Sequence, residues 1–266
     1  MPALKRSASD QRLVEASGPD FLEALARGLR VLETFNQDRK QLTLSDIAKL
    51  VDLPRASVRR TLHTLVHLGY AEMRDRFFRL TPRVLMLARA YLLSNAVSDI
   101  LQPAVERLSE EANECCSAAV LDGEDIMMIA HASPKRVIPV SAQVGFRLPA
   151  VATALGRTLI AALDDRELDK FLSWIHPKKL TKFTIVDKKE LRKAILKVRE
   201  DGYALVDQEV EIGFRSIAVP LKKLDGRIIA ALNIGVHSEQ MPLKTMHGHF
   251  FPRLHALADE LQQQLI

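Results

Sequence analysis

Residues 44–60, LSDIAKLVDLPRASVRR, contain two short segments of helical periodicity separated by a tight break. The break has the sequence VDLP, and the second segment carries three arginines. Two helical segments joined by so short a turn are typical of a helix-turn-helix, whose second helix lies in the major groove of DNA. The segment therefore predicts a DNA-binding head, and we expect the other two-thirds of the chain to control it.

The net positive charge of the chain lies in its N-terminal third. Residues 1–85 hold 15 Lys and Arg against 10 Asp and Glu, a net charge of +5, whereas the remainder holds 23 of each. Residues 53–83 contain seven arginines, opposed by Glu72 and Asp75. A local excess of basic residues is typical of a protein that binds a polyanion. The alternative is an ordinary solvent-exposed surface. The coincidence of the basic excess with the helix-turn-helix pattern favours nucleic acid.

Length and composition indicate a globular chain. A sequence of 266 residues with 47% apolar residues can form more than one core. Because no run of 18 apolar residues occurs and residues 1–20 lack a signal-peptide pattern, we expect a disordered N-terminal arm, no membrane partner and a cytoplasmic location. The two cysteines, Cys115 and Cys116, are neighbours, which disfavours a disulfide and a zinc site. We expect both to be small apolar core residues, with no metal and no cofactor bound.

The pattern over residues 21–81 predicts a winged helix-turn-helix domain. An amphipathic helix over residues 21–35 comes first, and Thr43 and Asp46 have the spacing of a capping box for the next helix. Gly69 is expected to end the third helix. Two short β-like runs joined by an arginine-rich tip follow it, and we expect this wing to lie along the phosphate backbone or in the minor groove.

The rest of the chain predicts a linker helix and a second domain. Residues 82–98 are apolar on nearly all sides, so we expect a linker helix that is buried on more than one side. Over residues 99–266, helices alternate with short strands, including one predicted at 137–142, and Asp-Gly pairs at 122–123 and 225–226 indicate hairpin turns. Mostly antiparallel strands with helices outside predict an α+β sensor domain.

Six segments along the chain read, in order, ARGLRVLETF, LTLSDIAKLVDLPRASVRRTLHTLVHLGYAE, FFRLTPRVLMLARAYL, LPAVATALGRTLIAAL, GYALVDQEVEIGFRSIAVPL and DGRIIAALNIG. Together they resemble, in the same order, segments of the IclR family of bacterial transcriptional regulators. The stretches CSAAVLDGEDI, ALGRTLIAALDD and YALVDQEVEIGFRSIAVPL look most similar to the subgroup that regulates aromatic-acid catabolism through the β-ketoadipate pathway. The resemblance implies a winged-helix domain, a GAF-like effector domain, and a homodimer or homotetramer. It also implies double-stranded operator DNA and a small carboxylic acid as partners, with RNA polymerase as a further candidate.

The face of the third helix opposite its apolar stripe carries the candidate DNA-reading residues. An arginine contacts guanine O6 and N7 through two hydrogen bonds, and a serine reaches a base or a phosphate. We therefore predict base readout by Arg55, Ser57 and Arg59, and phosphate contact by Arg60 and the wing arginines. For any one arginine the alternative is an ordinary surface side chain. The predicted DNA-binding residues are Arg55, Ala56, Ser57, Arg59, Arg60, His63, Arg74 and Arg76.

The resemblance also implies an effector site around the start of a helix predicted at residues 153–163. Free N–H groups and the helix dipole at that end favour a carboxylate, with Ala154 and Leu155 as backbone donors. The apolar Val206, where some relatives have an acidic residue, favours an aromatic or longer-chain acid. His131 is a further candidate, although a lone histidine after a strand is more often structural. Arg136 and Arg147, on the loop before this helix, are candidates to pair with a second carboxylate, and their alternative is an ordinary surface position. The expected effector-binding residues are Ala154, Leu155, Val206, Ser216, Asn233, Arg136 and Arg147.

These features together predict a sequence-specific transcriptional regulator of aromatic-acid catabolic genes. Its expected effector is protocatechuate, 4-hydroxybenzoate or β-ketoadipate. The alternatives are a regulator of a glyoxylate or sugar-acid operon, and an enzyme with a nucleic-acid-binding head. Because no nucleophile elbow, phosphate-binding glycine loop or zinc-binding helix is present, we expect no catalytic residues and no enzymatic activity. The sequence leaves open activation versus repression, the operator, the acid itself, and dimer versus tetramer.

Overall fold

The residues that the computed structural model describes are 20–36, 38–88, 96–134 and 143–265. The side chains of residues 96–98 are not described. Most of the expected N-terminal arm and the strand predicted at 137–142 lie outside the described residues. The chain divides into two compact units, with the boundary between Ser94 and Asn95.

The N-terminal unit is a winged helix-turn-helix, as the sequence predicts. Its elements are α1 Glu23–Leu32, β1 Leu42–Thr43, α2 Leu44–Leu50, α3 Arg55–His67, β2 Ala71–Arg74 and β3 Phe77–Leu80. The strands form an antiparallel sheet in the order β1-β3-β2, and β2 and β3 make the wing that follows α3. The two-residue strand β1 is an element that the sequence pattern did not predict.

Local hydrogen bonding determines where these helices begin and end. Thr43 and Asp46 form the predicted capping box, in which the Asp46 N–H donates to Thr43 Oγ1 and the Thr43 N–H donates to the Asp46 carboxylate. Asp52, with φ of 50°, turns the chain between α2 and α3, and Gly69, with φ of 78°, follows the end of α3. The core between the helices includes Val31, Ile47, Val58, Leu62 and Leu65.

The linker segment departs from the expected buried helix. Pro82–Val84 form a single 3-10 turn, residues 85–88 are helical, and residues 89–95 lie outside the described part of the chain. The side chains of Leu85, Met86 and Leu87 are exposed, so the expectation of burial on more than one side is wrong for this part of one chain.

The C-terminal unit is a six-stranded antiparallel sheet with helices on both faces, which confirms the α+β class. Its helices are α4 Ala96–Ala112, α5 Ala154–Ala161, α6 Asp165–Trp174, α7 Lys188–Asp201 and α8 Leu243–Gln262. Its strands are β4 Cys115–Asp122, β5 Asp125–Ala132, β6 Arg147–Pro149, β7 Ala204–Asp207, β8 Phe214–Lys222 and β9 Ile228–His237. The strand order is β6-β5-β4-β9-β8-β7, and the short edge strand β6 was not predicted.

The strands supply alternate residues to two cores because successive side chains point to opposite faces of a sheet. Ile217 and Val219 face the side that α4 and α8 cover, whereas Ala218 between them faces the side of α5, α6 and α7. On that second face, small side chains in the sheet let α5 pack closely against β4, β8 and β9. They are Ala119, Ala218 and Ala231.

Candidate functional site

The exposed side of α3 carries most of the residues predicted to contact DNA. Ser57 is half-buried. Together with Arg60, it borders a groove between α3 and α1, a position that Arg55 and Arg59 do not share. The exposed residues are Arg55, Ala56, Arg59, Arg60 and His63.

Among the described residues, no side chain caps the N-terminus of α3. Pro54 precedes the helix without a side-chain cap, and the first turn contains no acidic residue. The first bonds run from the N–H groups of Ser57 and Val58 to the Pro54 carbonyl, at 2.9 and 3.2 Å. A helix N-terminus of this kind, with arginines beside it, suits a phosphate.

The wing presents two exposed arginines at its tip. Arg74 and Arg76 flank Asp75, whose φ of 56° makes the turn. The Arg76 guanidinium lies 5.3 Å from the centroid of its neighbouring Phe77 ring. Arg79, two residues after Phe77 in β3, instead forms an ion pair with Glu72 within the wing. Arg74 and Arg76 are therefore the wing arginines in the best position to contact phosphate.

The C-terminal unit contains a cavity of about 380 Å³, bounded by the sheet, the start of α5 and the loop between β7 and β8. This volume falls within the range of small-molecule sites in proteins. Most of its wall is apolar, as in such sites generally. The large apolar side chains in the wall are Ile126, Met128, Phe146, Leu148, Leu155, Val206 and Phe214.

Two rows of residues cross the sheet side of the cavity in register. In the first, which we call the polar row, Ser117 on β4 pairs with His131 on β5 and with Asn233 on β9. Directly paired residues of antiparallel strands point to the same face, so all three line the cavity. The second row, formed in the same way, consists of Cys115, Gly235, Ser216 and Val206.

The polar row contains two atoms without hydrogen-bond partners. Ser117 Oγ lies 2.9 Å from His131 Nδ1. In contrast, His131 Nε2 and Asn233 Oδ1 are buried and have no partner among the described residues. Burial lowers the pKa of His131 from its ordinary value of 6.5, so the imidazole is neutral at pH 7. A buried polar atom without a partner costs about 1–3 kcal/mol, which a suitable ligand group would recover.

The N-terminus of α5 offers free backbone donors beside the cavity. Thr153 caps the helix, accepting the Gly156 N–H through Oγ1 at 2.9 Å. The Arg157 N–H donates to the Thr153 carbonyl at 3.0 Å. The hydrogen bonds of the described residues leave the N–H groups of Ala154 and Leu155 without a backbone acceptor. This end of α5 therefore retains the donors and the dipole that stabilise a carboxylate.

Gly156 allows this helix end to lie close to the preceding turn. A Cβ at position 156 would lie 2.1 Å from the Ala150 carbonyl oxygen, far inside contact distance. The backbone of the 3-10 turn Ala150–Ala152 therefore occupies the space that any side chain would need. The orientation of the α5 N-terminus depends on this close approach.

A buried ion pair joins α5 to the loop between β7 and β8. Arg157 Nη2 lies 2.7 Å from Glu209 Oε2. The same carboxylate oxygen accepts the Ile185 N–H at 2.9 Å. Glu209 and its neighbour Glu211 both line the cavity, whereas no Lys or Arg is found among the described residues of its wall. The pair thus neutralises one of two carboxylates in the wall.

The structure brings most of the residues predicted for the effector site to one place. Ala154 is buried in the first turn of α5 next to Leu155. It is not part of the wall itself. The wall also contains residues that were not predicted for the effector site, among them Glu209, Phe214 and Ser117. The predicted residues that line the cavity are Leu155, Val206, Ser216 and Asn233.

Arg147 is a correction to the predicted site. Its guanidinium donates to the carboxylates of Asp122 and Asp125 at the turn between β4 and β5, the second at 3.3 Å. It is absent from the cavity wall, which its neighbour Leu148 lines instead, because successive residues of β6 point in opposite directions. Arg136 lies outside the described residues.

The two cysteines differ in environment, which corrects the prediction that both are core residues. Cys116 is buried in the core beneath the sheet, whereas Cys115 lines the cavity. Burial raises the pKa of Cys115, so its thiol is protonated and unreactive at pH 7. The alternation of side chains along β4 places Cys115 and Ser117 on one face and Cys116 on the other, so it could have separated the two cysteines. That deduction also requires knowing which face of the sheet borders the cavity.

The described ranges give no indication of a metal site or a membrane span. Within them, no group of three or more His, Cys, Asp or Glu side chains is arranged to hold a metal ion. No helix there is both long enough and apolar enough to cross a membrane.

Comparison with known proteins identifies both units. The family described as "IclR helix-turn-helix domain" matches residues 24–75. The family described as "Bacterial transcriptional regulator IclR C-terminal" matches residues 89–263.

Similar proteins match over nearly the whole chain. The "Pca regulon regulatory protein" of Pseudomonas putida is 41% identical over 261 residues, covering 97% of this chain and 90% of that protein. The "p-hydroxybenzoate hydroxylase transcriptional activator" of Acinetobacter baylyi is 33% identical over 251 residues, covering 91% and 92%. The crystal structure of an IclR homolog from Microbacterium hydrocarbonoxydans, complexed with 4-hydroxybenzoate, is 28% identical with a TM-score of 0.77, covering 91% and 98%. This chain belongs to the IclR family of bacterial transcriptional regulators.

Proposed function

We propose that this chain binds operator DNA and regulates genes of aromatic-acid breakdown in response to a small carboxylate. The single observation that carries the proposal is the cavity in the C-terminal unit, which has a largely apolar wall and the free N-terminus of α5 at its edge. A flat aromatic ring matches the wall, and a carboxylate matches the helix end. The names of the Pseudomonas and Acinetobacter relatives and the bound 4-hydroxybenzoate of the Microbacterium homolog support the same effector class.

The N-terminal unit supplies the DNA contacts in this proposal. Arg55 and Arg59 read bases from one flank of α3. From the flank next to α1, Ser57 reads a base and Arg60 contacts a phosphate. Arg74 and Arg76 contact phosphates from the wing. The uncapped N-terminus of α3 and the exposure of these arginines support this division. The remaining predicted contacts, Ala56 and His63, lie on the exposed surface of α3 between the two flanks.

Two copies of the chain form the DNA-binding unit in this proposal. The groove between α1 and α3 is bordered by apolar side chains that are about half exposed or more, and contiguous apolar patches of this kind mark interaction surfaces. A second copy of the chain is the occupant that two-fold operators require, because paired winged helices read paired half-sites. Sedimentation separates a dimer from a tetramer. The apolar side chains are Leu25, Leu29, Leu68 and Leu87.

The bound acid acts as a signal in this account and is not a substrate. It binds one arrangement of the protein better than another and thereby changes DNA affinity, which is thermodynamic coupling without chemistry. Contact with RNA polymerase is expected only if the regulator is an activator. Incubation of the purified protein with the acid, followed by chromatography, should return the acid unchanged. Consumption of the acid would favour an enzyme.

Calorimetry with defined acids tests the proposed effector class. Titration of the full chain with 4-hydroxybenzoate, protocatechuate and β-ketoadipate should give saturable heat with at least one, and none with glyoxylate. Ser216→Phe fills the cavity from β8 and should abolish the heat. Ser173→Phe, on the exposed surface of α6, should preserve it. Heat with glyoxylate alone, or with none of the four acids, would refute the proposal.

A further inference from the structure

The polar row has hydrogen-bonding capacity that a carboxylate at α5 leaves unused. Building on the proposed function, we infer that the polar row binds a hydroxyl group of the effector. The effector is then a hydroxylated aromatic monocarboxylate and not an aliphatic dicarboxylate. The residues that decide this choice are Asn233 and His131, with Ser117 between them.

The two unpaired atoms of the polar row belong to residues that line one cavity. Asn233 is only 7% exposed, and its unpaired Oδ1 belongs to a residue of the cavity wall. His131 is paired to the other side of Ser117, so two strand spacings, about 10 Å, separate the backbones of His131 and Asn233. Both side chains line the same cavity, so each unpaired atom is available to a polar substituent of a bound ligand.

A hydroxyl is the ligand group whose chemistry suits these atoms. The Asn233 oxygen needs a donor, which neither a keto oxygen nor a carboxylate supplies. The free His131 nitrogen is a donor or an acceptor according to the direction of the hydrogen bond between Nδ1 and Ser117. A hydroxyl donates its one proton to Asn233 Oδ1 and accepts from His131 Nε2 in the tautomer that carries its proton on Nε2, in which Ser117 donates to Nδ1.

The charges around the cavity disfavour a second carboxylate. Its described wall residues include two carboxylates, Glu209 and Glu211, and no cation. Arg157 is already paired with Glu209, and Arg147 is paired outside the cavity. The His131 imidazole is neutral at pH 7. The described residues offer a second carboxylate no counter-charge to offset its lost hydration, which is costly.

The wall between the two polar ends is suited to an aromatic ring. Met128, Phe146 and Leu148 form part of it. A methionine sulfur makes favourable contacts with ring edges, and a phenylalanine ring packs against another ring edge-on or offset. An aliphatic chain gains fewer of these contacts.

The inference is tested by removing the hydroxyl from the ligand and its acceptor from the protein, separately and together. The ligands are 4-hydroxybenzoate, benzoate and adipate, titrated by calorimetry into the full chain and into Asn233→Leu. The wild type should bind 4-hydroxybenzoate at least about tenfold more tightly than benzoate, and adipate more weakly than 4-hydroxybenzoate. Asn233→Leu should bind 4-hydroxybenzoate and benzoate with affinities within about twofold of each other.

Matched variants make each outcome decisive. Asn233→Leu removes an unpaired polar atom, so its melting temperature should be no lower than that of the wild type, and His131→Phe provides a second test of the same preference. Ser173→Ala, on exposed α6, should retain the wild-type preference. Equal binding of benzoate and 4-hydroxybenzoate by the wild type, or tighter binding of adipate, would overturn the inference while the proposed carboxylate effector stands. No binding of any of the three, together with no heat from protocatechuate or β-ketoadipate, would overturn both.

Discussion

Arg157 and Glu209 form a buried ion pair, 2.7 Å between Nη2 and Oε2, that connects α5 to the loop between β7 and β8. Their side chains are only 5% and 7% exposed. The Arg157 Nε also donates to the Val151 carbonyl at 2.9 Å, and the Glu209 carboxylate accepts the Ile185 N–H. One charged contact therefore holds together two walls of the cavity in which we place the effector.

Removing one partner of this pair should destabilise the C-terminal unit strongly. Arg157→Leu leaves the Glu209 charge buried without a counter-ion, so the free energy of unfolding should fall by about 3–5 kcal/mol in urea titrations. Adding Glu209→Gln removes the charge and keeps an acceptor for the Ile185 N–H, so most of the loss should be recovered. A double variant as unstable as Arg157→Leu would contradict this account of the pair.

Adding one methyl group at Gly156 should disturb the start of α5. Gly156→Ala places a Cβ against the Ala150 backbone, which cannot yield as a flexible side chain would, so it should cost at least about 1–3 kcal/mol and weaken acid binding. Gly248→Ala is the control, because Gly248 is exposed in α8 and a Cβ there meets nothing within 4 Å. It should stabilise the protein by about 0.5–1 kcal/mol. Equal effects at the two positions would refute the role given to Gly156.

The buried imidazole of His131 should make stability depend on pH on the acidic side of neutrality. Burial lowers its pKa in the folded state below the ordinary 6.5, so the unfolded chain binds more protons between these two values. Stability should therefore fall as the pH drops below 6.5 and stop responding to this group once the folded-state pKa is passed. Urea unfolding between about pH 7.5 and 5.5 should show a weaker pH dependence in His131→Gln and His131→Phe. An unchanged slope in both would show that His131 is not responsible.

Arginines on α3 and on the wing should affect DNA binding differently. Arg59→Ala should cost roughly 1–3 kcal/mol on the preferred sequence and relax the preference at one base position. Arg76→Ala should weaken binding to all sequences alike and reduce the slope of log affinity against log salt by about one. Anisotropy titrations on a selected duplex and on single-base variants of it measure both effects. Unchanged sequence preference in Arg59→Ala would remove its assignment to base readout.

The apolar groove between α1 and α3 should be needed for pairing. Leu25→Glu places a charge in this groove, where the leucine is 60% exposed in one chain, and should lower the sedimentation coefficient and the affinity for a two-half-site operator. Leu224→Glu is the matched control, since Leu224 is 58% exposed in the turn between β8 and β9. Wild-type sedimentation and DNA affinity in Leu25→Glu would contradict the proposed role of the groove.

The winged helix could be predicted because its signals are local. Thr43 and Asp46 are three residues apart, and their capping box forms as the spacing indicates. The apolar stripe at Val58, Leu62 and Leu65 repeats at helical spacing and is buried. In contrast, the exposure of Leu85 cannot be deduced from a pattern that shows only how apolar a segment is.

The cavity could be predicted only where the family resemblance pointed to it. Ser216 and Asn233 came from that resemblance and line the cavity. The partnership of Ser117 with Asn233 depends on strand register between distant segments, which no local spacing reveals. Arg147 was misplaced because its partner, Asp122, is brought near by the pairing of β5 with β4 and β6.

The most direct test of the central claim is the affinity of the full chain for DNA with and without bound acid. A duplex selected by the protein from a random library would be titrated by fluorescence anisotropy, with and without saturating 4-hydroxybenzoate. We expect Kd for DNA to change by at least about fivefold, and Kd for the acid to change by the same factor when DNA is present. Identical DNA affinities, under conditions where calorimetry shows the acid to be bound, would contradict the coupling of cavity to operator.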